Sequence, residues 1–179
     1  MDYRVWLHPL AFVTLLSFAQ AKRNFIVDLH NFTCIIVDPS FGKELTCIIH
    51  KSRPNPVISA RFMLAKTEKE FNIHFILDIV KSDESVIKMG NSKLDGCKYL
   101  SSLYGNNIYG KFFRRIQKVS NLPRKCPIPG NKLYEIRNYS IDVDEYPPAV
   151  PELTFRLTLK IMRGDHVVAI IFFIASTIY

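Results

Sequence analysis

The chain carries four cysteines, and their spacing limits its fold more tightly than any other feature. Cys34 lies near Cys47, and Cys97 lies near Cys126. Four cysteines allow three disulfide pairings. We favour these two neighbouring pairs because each bridge would close a loop between cysteines that are near each other in sequence. Each bridge is expected to stabilise the fold by roughly 3 kcal/mol by restricting the unfolded chain. A zinc site is the alternative, but no C-x-x-C pair occurs and the histidines are scattered.

The first 21 residues have the pattern of a removable export signal. Arg4 supplies an early positive charge, residues 10–18 are largely apolar, and Ala19-Gln20-Ala21 offers small residues where a signal peptidase cuts. The apolar stretch is shorter than the ~20 residues that a membrane span needs. We therefore predict cleavage after Ala21 and a secreted, extracellular domain over residues 22–179, in which disulfides persist.

The exported part is predicted to be one basic domain with two glycan acceptors. N-x-S/T sequons occur at Asn31 and Asn138. The chain that remains after the leader is long enough for a single domain with a proper core. The leader holds one acidic and one basic residue, Asp2 and Arg4, so its removal leaves the net charge at +8. A basic exterior favours anionic partners, of which a membrane surface is one.

Alternation of apolar and polar residues predicts antiparallel strands along the chain. The clearest alternation covers residues 153–161, and similar patterns occupy residues 58–64 and 71–79. Period two over such lengths is typical of half-buried strands. After a turn at Gly164-Asp165, residues 167–175 are apolar on both faces, which predicts a central strand or one covered on both sides. The pattern predicts an all-β fold class.

One segment breaks the strand pattern. Over residues 106–119, at about 100° per residue, apolar and basic residues fall on opposite arcs, which predicts an amphipathic helix inserted between Cys97 and Cys126. In one interpretation the helix packs on the sheet and its basic side is solvated. In the other it is a lid or a membrane contact that meets anionic headgroups. The apolar arc holds Ile108, Tyr109, Phe112, Phe113, Ile116 and Val119, and the basic arc holds Lys111, Arg114, Arg115 and Lys118.

The region around the second cysteine pair resembles a known family. The run from Leu94 to Leu100, a short helix, and then Ser120 to Pro127 are similar to the signature of a large insect family of small secreted proteins of unknown function. That family is related to the ML lipid-recognition fold, and its members include CheB-type proteins of chemosensory hairs, which are similar to the ganglioside activator protein. Residues 32–47, Tyr146-Pro147-Pro148 and the strand from Leu153 extend the resemblance over nearly all of the predicted domain.

The resemblance implies an immunoglobulin-like antiparallel β-sandwich whose sheets part to admit an acyl chain or another apolar molecule. It implies no catalytic residues. We therefore predict a secreted carrier of a lipid or other hydrophobic ligand, with a chemosensory role, such as response to a pheromone or contact cue, or a role in lipid handling, and with no cofactor. The predicted ligand-binding residues, each of which would otherwise be ordinary core, are Phe62, Leu64, Phe71, Ile73, Phe75, Phe112, Phe113, Phe155, Leu157 and Leu159.

Other function classes are weighed against this prediction. The charge and the basic helix also suit a cationic extracellular protein that adheres to membranes or binds a receptor ectodomain without a buried ligand. Export argues against nucleic acid as a partner. An enzyme is disfavoured, because the sequence has no G-x-S-x-G elbow and no H-E-x-x-H motif. Phosphate-binding glycine loops are absent as well.

Overall fold

Strands dominate the part of the chain that the structure describes. The computed structural model describes residues 25–51, 56–101, 105, 108–143 and 150–179. The predicted leader, residues 1–21, lies outside this part. In chain order the elements are β1 (Ile26–Ile36), β2 (Gly42–His50), β3 (Val57–Leu64), β4 (Asn72–Val80), β5 (Val86–Asp95), α1 (Gly96–Leu100), α2 (Ile108–Lys118), β6 (Leu133–Ser140), β7 (Leu153–Arg163) and β8 (His166–Ile178).

The strands form two antiparallel sheets that face each other. One has five strands in the order β1-β8-β7-β4-β5, and the other has three in the order β2-β3-β6. Period-two patterning explains this arrangement, because each strand has one apolar face to bury and a second sheet provides the partner surface. The structure therefore confirms the predicted all-β sandwich. The register of β4 on β7 is unbroken from Asn72↔Met162 to Val80↔Thr154.

Strand β8 is central, as its apolar sequence predicted. It is hydrogen-bonded to β1 on one side and to β7 on the other. Phe173 and Ala175 are buried inside the sandwich, and Ile174 between them faces outward. The turn before β8 contains Gly164, whose φ of 57° lies in the left-handed region that glycine adopts without strain. This confirms the predicted hairpin at residues 163–166.

Both disulfides have the predicted pairing. Cys34 is bonded to Cys47 with a Cα–Cα distance of 5.6 Å, and Cys97 to Cys126 with 5.4 Å. The first bridge joins β1, an edge of the five-stranded sheet, to β2, an edge of the three-stranded sheet. The second ties α1 to the segment that precedes β6. One bridge therefore closes one side of the sandwich, and the other secures the helices.

The helices lie on the opposite side of the sandwich, between β5 and β6. α1 begins at an Asp95 N-cap, whose carboxylate accepts hydrogen bonds from the Cys97 and Lys98 amides at 2.9 and 3.0 Å. Gly96 is needed there, because a Cβ would lie 2.3 Å from the Phe71 ring. α2 confirms the predicted amphipathic helix over a slightly shorter range. The five-residue α1 was not predicted, so the insertion holds two helices rather than one.

The interior contains two separate clusters of buried side chains. We call the cluster beside the helices the upper core and the other the lower core. Leu157 packs against both. The upper core is formed by Leu64, Ile73, Phe75, Leu94, Tyr99, Leu100, Phe113, Ile128 and Tyr134. The lower core is formed by Phe25, Val27, Leu29, Phe173 and Ala175.

Candidate ligand-binding site

An apolar cavity of about 200 Å³ lies within the upper core. Its walls come from both sheets, and α2 closes one side. Strand alternation explains the walls, because inward residues of paired strands line up in rows across each sheet. Leu45, Phe62 and Leu64 line it from the three-stranded sheet; Ile36, Ile73, Phe75, Leu159, Ile161, Ala169 and Ile171 from the five-stranded sheet; and Phe112, Phe113 and Ile116 from α2.

Aromatic contacts hold the walls in place around the cavity. Phe62 stacks on Tyr134 with ring centroids 5.1 Å apart, and Tyr99 contacts Phe113 at 4.5 Å and Phe75 at 6.0 Å. Such pairs fix ring positions beyond what area burial alone achieves. The hydroxyl of Tyr134 donates to the Pro129 carbonyl at 3.1 Å. These rings form rigid walls for a void that a flexible aliphatic core would tend to fill.

The tyrosines beside the cavity bring no charge to it. Burial raises the pKa of Tyr99, with a further contribution from Tyr139 nearby, and burial also raises the pKa of Tyr134. Both phenols are therefore neutral over the physiological range. A neutral, apolar wall favours an apolar guest, because a charged group moved into it would lose its hydration without a partner.

One buried carboxylate borders the cavity, and it is paired. Glu68 is 7% exposed and accepts hydrogen bonds from both Nε and Nη2 of Arg163. The hydrogen bonding that Arg163 donates to the Glu68 carboxylate is the main reason that the pKa of Arg163 is raised. The Arg163 guanidinium also lies 3.8 Å from Asp38 and 5.6 Å from the Phe41 ring centroid. Glu68 therefore has a structural partner and closes one end of the cavity.

Backbone pairing holds Glu68 at this end. Its amide donates to the Ile128 carbonyl at 3.0 Å, and the Ile128 amide donates back to the Glu68 carbonyl at 2.8 Å. Ile128 belongs to the upper core and follows Cys126 by two residues. The second disulfide is therefore connected, through a short segment, to both the helices and the polar end of the cavity.

The structure brings most of the predicted ligand-binding residues together. Eight of the ten lie on the cavity wall: Phe62, Leu64, Phe71, Ile73, Phe75, Phe112, Phe113 and Leu159. The two others, Phe155 and Leu157, lie on β7 nearer its N-terminal end than Leu159 and do not line the cavity. Phe155 contacts Phe173 of the lower core at 6.1 Å. Their inward orientation is as predicted, but β7 is longer than the cavity, so we exclude both from the candidate site.

Sequence reasoning missed part of the wall. Ala169 and Ile171 also line the cavity, and the inward alternation of β8 could have identified them. Phe41, Leu122 and Ile128 line it from connecting segments. No sequence periodicity marks such residues, because only the folded path of these segments brings them to the cavity.

The basic side of α2 is not simply a free face. The Arg115 guanidinium lies 2.8 Å from the Asp142 carboxylate, and Arg114 donates to the Gly105 carbonyl. Lys118 is exposed. The side chains of Ile108, Tyr109 and Lys111, which completed the two predicted arcs, lie outside the described residues. Phe112, Phe113 and Ile116 face the cavity, which agrees with the interpretation that the apolar side packs on the sandwich.

Two acidic residues away from the cavity also have structural partners. Asp78 is buried and accepts a hydrogen bond from Arg156 at 2.8 Å. Asp83 accepts hydrogen bonds from the Ser85 amide and hydroxyl, and these hydrogen bonds lower its pKa. Within the described ranges, no group of three or more His, Cys, Asp or Glu side chains is placed to hold a metal ion. Among the helices that the structure describes, none is long and apolar enough to cross a membrane.

Comparison with known proteins finds a family for the segment that builds much of this site. Residues 71–157 match the model of a family described as a protein of unknown function, DUF1091. That family is ML-like. The match covers slightly less than half of the chain and includes β4, both helices and the Cys97–Cys126 bridge. A search of curated proteins finds no match. The segment that closes one side of the cavity is thus similar to an ML-like family of unknown function.

Proposed function

We propose that this protein is secreted and binds a small apolar ligand, or the apolar end of an amphiphile, in the cavity of the upper core. The observation that carries the proposal is the cavity itself, which has apolar walls from both sheets and from α2. Protein interiors are close-packed, and voids larger than a water molecule are few. A void of about 200 Å³ is therefore unusual, and a ligand-binding function would explain it.

The free energy available from filling the cavity supports this proposal. At about 24 cal/mol per Å³ for a closed void, filling this volume would contribute at most about 5 kcal/mol. That is a large part of the total stability of a typical domain. A ligand that fills the cavity recovers much of this energy, and a binding function would offset the cost of keeping the void.

The cavity volume limits the size of the ligand. An engineered apolar cavity of about 150 Å³ binds benzene, whereas pockets for drug-sized ligands hold about 300–1,000 Å³. About six methylenes at about 0.8 kcal/mol each would supply roughly 5 kcal/mol before the cost of association is subtracted. We therefore propose a guest with a single ring or a short alkyl chain, and any longer amphiphile would leave the rest of its length outside.

Several features of the chain support export, and the family resemblance supports a physiological role. The predicted leader, the two disulfides and the two sequons all fit a secreted protein. The resemblance to CheB-type insect proteins supports a chemosensory role, with a pheromone or contact cue as ligand, and lipid handling is the wider class. We propose no catalytic activity and no cofactor, because the cavity wall is largely apolar and its two carboxylates, Glu44 and Glu68, are paired with Arg61 and Arg163.

Native mass spectrometry of the protein purified from a secreting host is the direct test. We expect a co-purified apolar molecule whose mass corresponds to a small hydrocarbon or a short-chain amphiphile. Empty protein that also fails to bind fluorescent fatty-acid probes and benzene-sized hydrocarbons would contradict the proposal.

A pair of variants on one strand locates the binding site. Ala169 lines the cavity, and Ala169→Leu places extra volume in it, so we expect probe binding to be lost. The matched control is Ile170→Phe, which enlarges the next side chain along β8 on the outer face of the sheet. Equal probe affinity for the wild type and Ala169→Leu would show that the ligand lies elsewhere.

A further inference from the structure

The outer face of the five-stranded sheet carries an apolar patch beside the first sequon. Along β8, inward residues alternate with Ile170, Phe172 and Ile174, which therefore face outward. Ile35, the β1 partner of Ile170, is 44% exposed. We call Ile35, Ile170, Phe172 and Ile174 the outer patch. The elements that β8 contacts most are its sheet neighbours, β1 and β7.

The patch is a coherent surface rather than a scatter of single side chains. Phe172 is paired with Thr158 of β7, and Thr158 is only 7% exposed although it lies on the outer face. Neighbouring outward side chains must therefore close over the threonine. Contiguous apolar surface of this kind is a liability for a secreted protein, because it promotes association unless something covers it.

Asn31 lies beside this patch and on the same face. Its Cα partner across the sheet is Ile174, and Thr33, the third residue of the sequon, is paired with Phe172. Phe32 points the other way, because its ring contacts Phe173 inside the sandwich at 6.3 Å. Asn31 and Thr33 are both exposed, and the Thr33 hydroxyl donates to the Asn31 side-chain oxygen at 2.6 Å.

We propose that Asn31 is glycosylated and that its glycan lies over the outer patch and shields it from other molecules. Neighbouring strands are only about 4.8 Å apart, so the first sugars attached at β1 reach the β8 side chains. Sugar rings present C–H faces to apolar side chains and hydroxyls to water, and an N-linked glycan is bulky and solubilising. This inference depends on the export part of the proposed function and is independent of ligand binding.

The second sequon provides a contrast within the same chain. Asn138 is also exposed, but the side chains that its backbone contacts are polar. Its amide donates to the Ser59 hydroxyl at 3.1 Å, and the same hydroxyl is 3.0 Å from His50 Nε2. One exposed apolar side chain lies close by, that of Ile48, the β2 partner of Ser59. Removal of a glycan at Asn138 is therefore expected to uncover less apolar surface than removal at Asn31.

The test compares glycan removal at the two positions in protein secreted from a eukaryotic host. Peptide mass spectrometry measures occupancy at Asn31, and a hydrophobic-interaction column and light scattering measure surface apolarity and self-association. We expect Asn31 to be occupied in the wild type. Asn31→Gln and Thr33→Ala, which remove the glycan, are expected to elute later and to self-associate more. Thr33→Ser and Asn138→Gln are expected to behave like the wild type. Trimming the folded wild type with an endoglycosidase that leaves one sugar avoids any effect on folding and is expected to shift elution in the same direction.

A second substitution assigns the effect to the patch. Phe172→Thr, made in the Asn31→Gln background, is expected to return elution towards that of the wild type. The proposal is overturned if Asn31 carries no glycan, if its loss leaves elution and self-association unchanged, or if Asn138→Gln produces an equal shift. Probe binding in the cavity is measured in parallel, and its failure would contradict the proposed function without affecting this result.

Discussion

The upper and lower cores lie between the same two sheets, yet only the upper one contains the cavity that we describe. Two alanines on one face of β8 make the difference clear. Ala169 is paired with Ile36 and Ile161, and Ala175 with Leu29 and Phe155. Both alanines are buried, but Ala169 faces the cavity, whereas Ala175 is 0% exposed within the lower core. Small residues do not by themselves make a void, since the outcome depends on what packs opposite.

The aromatic rings of the two cores are arranged alike, so ring pairing does not explain the difference. In the lower core, Phe32 and Phe155 both contact Phe173, and all three come from adjacent strands of the five-stranded sheet. In the upper core, Phe62 and Tyr134 stack along the three-stranded sheet. What distinguishes the upper core is the side that the helices close, where α2 contributes cavity-lining residues.

The largest predicted effect comes from removing the bridge beside the cavity. Changing Cys97 and Cys126 together to serine is expected to lower the free energy of unfolding by about 3.5 kcal/mol, because the bridge closes a long loop, with a sequence separation of 29 residues. The matched loss of Cys34–Cys47, with a separation of 13, is expected to cost about 3 kcal/mol. Denaturant unfolding measures both.

Ligand binding separates the two bridge variants more sharply than stability does. Only the Cys97–Cys126 bridge holds the helices that close the cavity, so only its loss is expected to abolish probe binding in the folded fraction. Equal loss of binding in both variants would show that the helical side has no special role.

Two leucines on the same face of β7 give the next largest effect. Leu157 packs between both cores, and Leu157→Ala is expected to cost about 3 kcal/mol because it opens a new void. Leu159 lines the existing cavity, and Leu159→Ala is expected to enlarge it and admit longer alkyl chains. A series of alkyl probes of increasing length measures the shift, which Leu157→Ala is not expected to show.

Enlarging the two alanines tests the comparison directly. Ala175 is fully buried in the lower core, so Ala175→Leu forces extra volume among packed side chains and is expected to destabilise the protein by about 2 kcal/mol. Ala169→Leu places the same volume in the void, so thermal unfolding is expected to show no loss of stability and, in ligand-free protein, a gain. Similar destabilisation by both substitutions would mean that the upper core is as full as the lower one.

The smallest expected effect is that of salt on ligand binding. Capture of an uncharged apolar probe in the cavity is expected to change little between low and high ionic strength. Adhesion of a cationic surface to anionic vesicles would weaken strongly, because salt screens exposed charges beyond about 10 Å at 0.1 M. Titration of both probe and vesicles across salt concentrations distinguishes a ligand carrier from a membrane-adhering protein.

Much of the fold was predictable because its signals are local. Period-two alternation located β3, β4 and β7, and the continuous apolar run located the central strand β8. Helical periodicity located α2 to within a few residues. The short helix α1 was missed, because five residues carry too little periodic pattern to identify a helix.

The candidate site was less predictable than the strands that build it. Alternation shows which side of a strand faces inward, but not how far along the strand a cavity extends. Phe155 and Leu159 therefore look equivalent in sequence, yet only Leu159 reaches the cavity. Residues such as Phe41 and Leu122 come from connecting segments, whose position depends on the whole fold.

The sequence by itself determined the strand faces, the amphipathic helix and the choice of cysteine partners, because each follows from spacing along the chain. Tertiary structure alone decided that Glu68 is paired with Arg163 and that the cavity lies in the upper core beside the helices. Packing depends on which side chains meet across the gap between sheets, and residues distant in sequence supply those contacts. A local pattern can orient a side chain, but only the assembled sheets determine what lies opposite it.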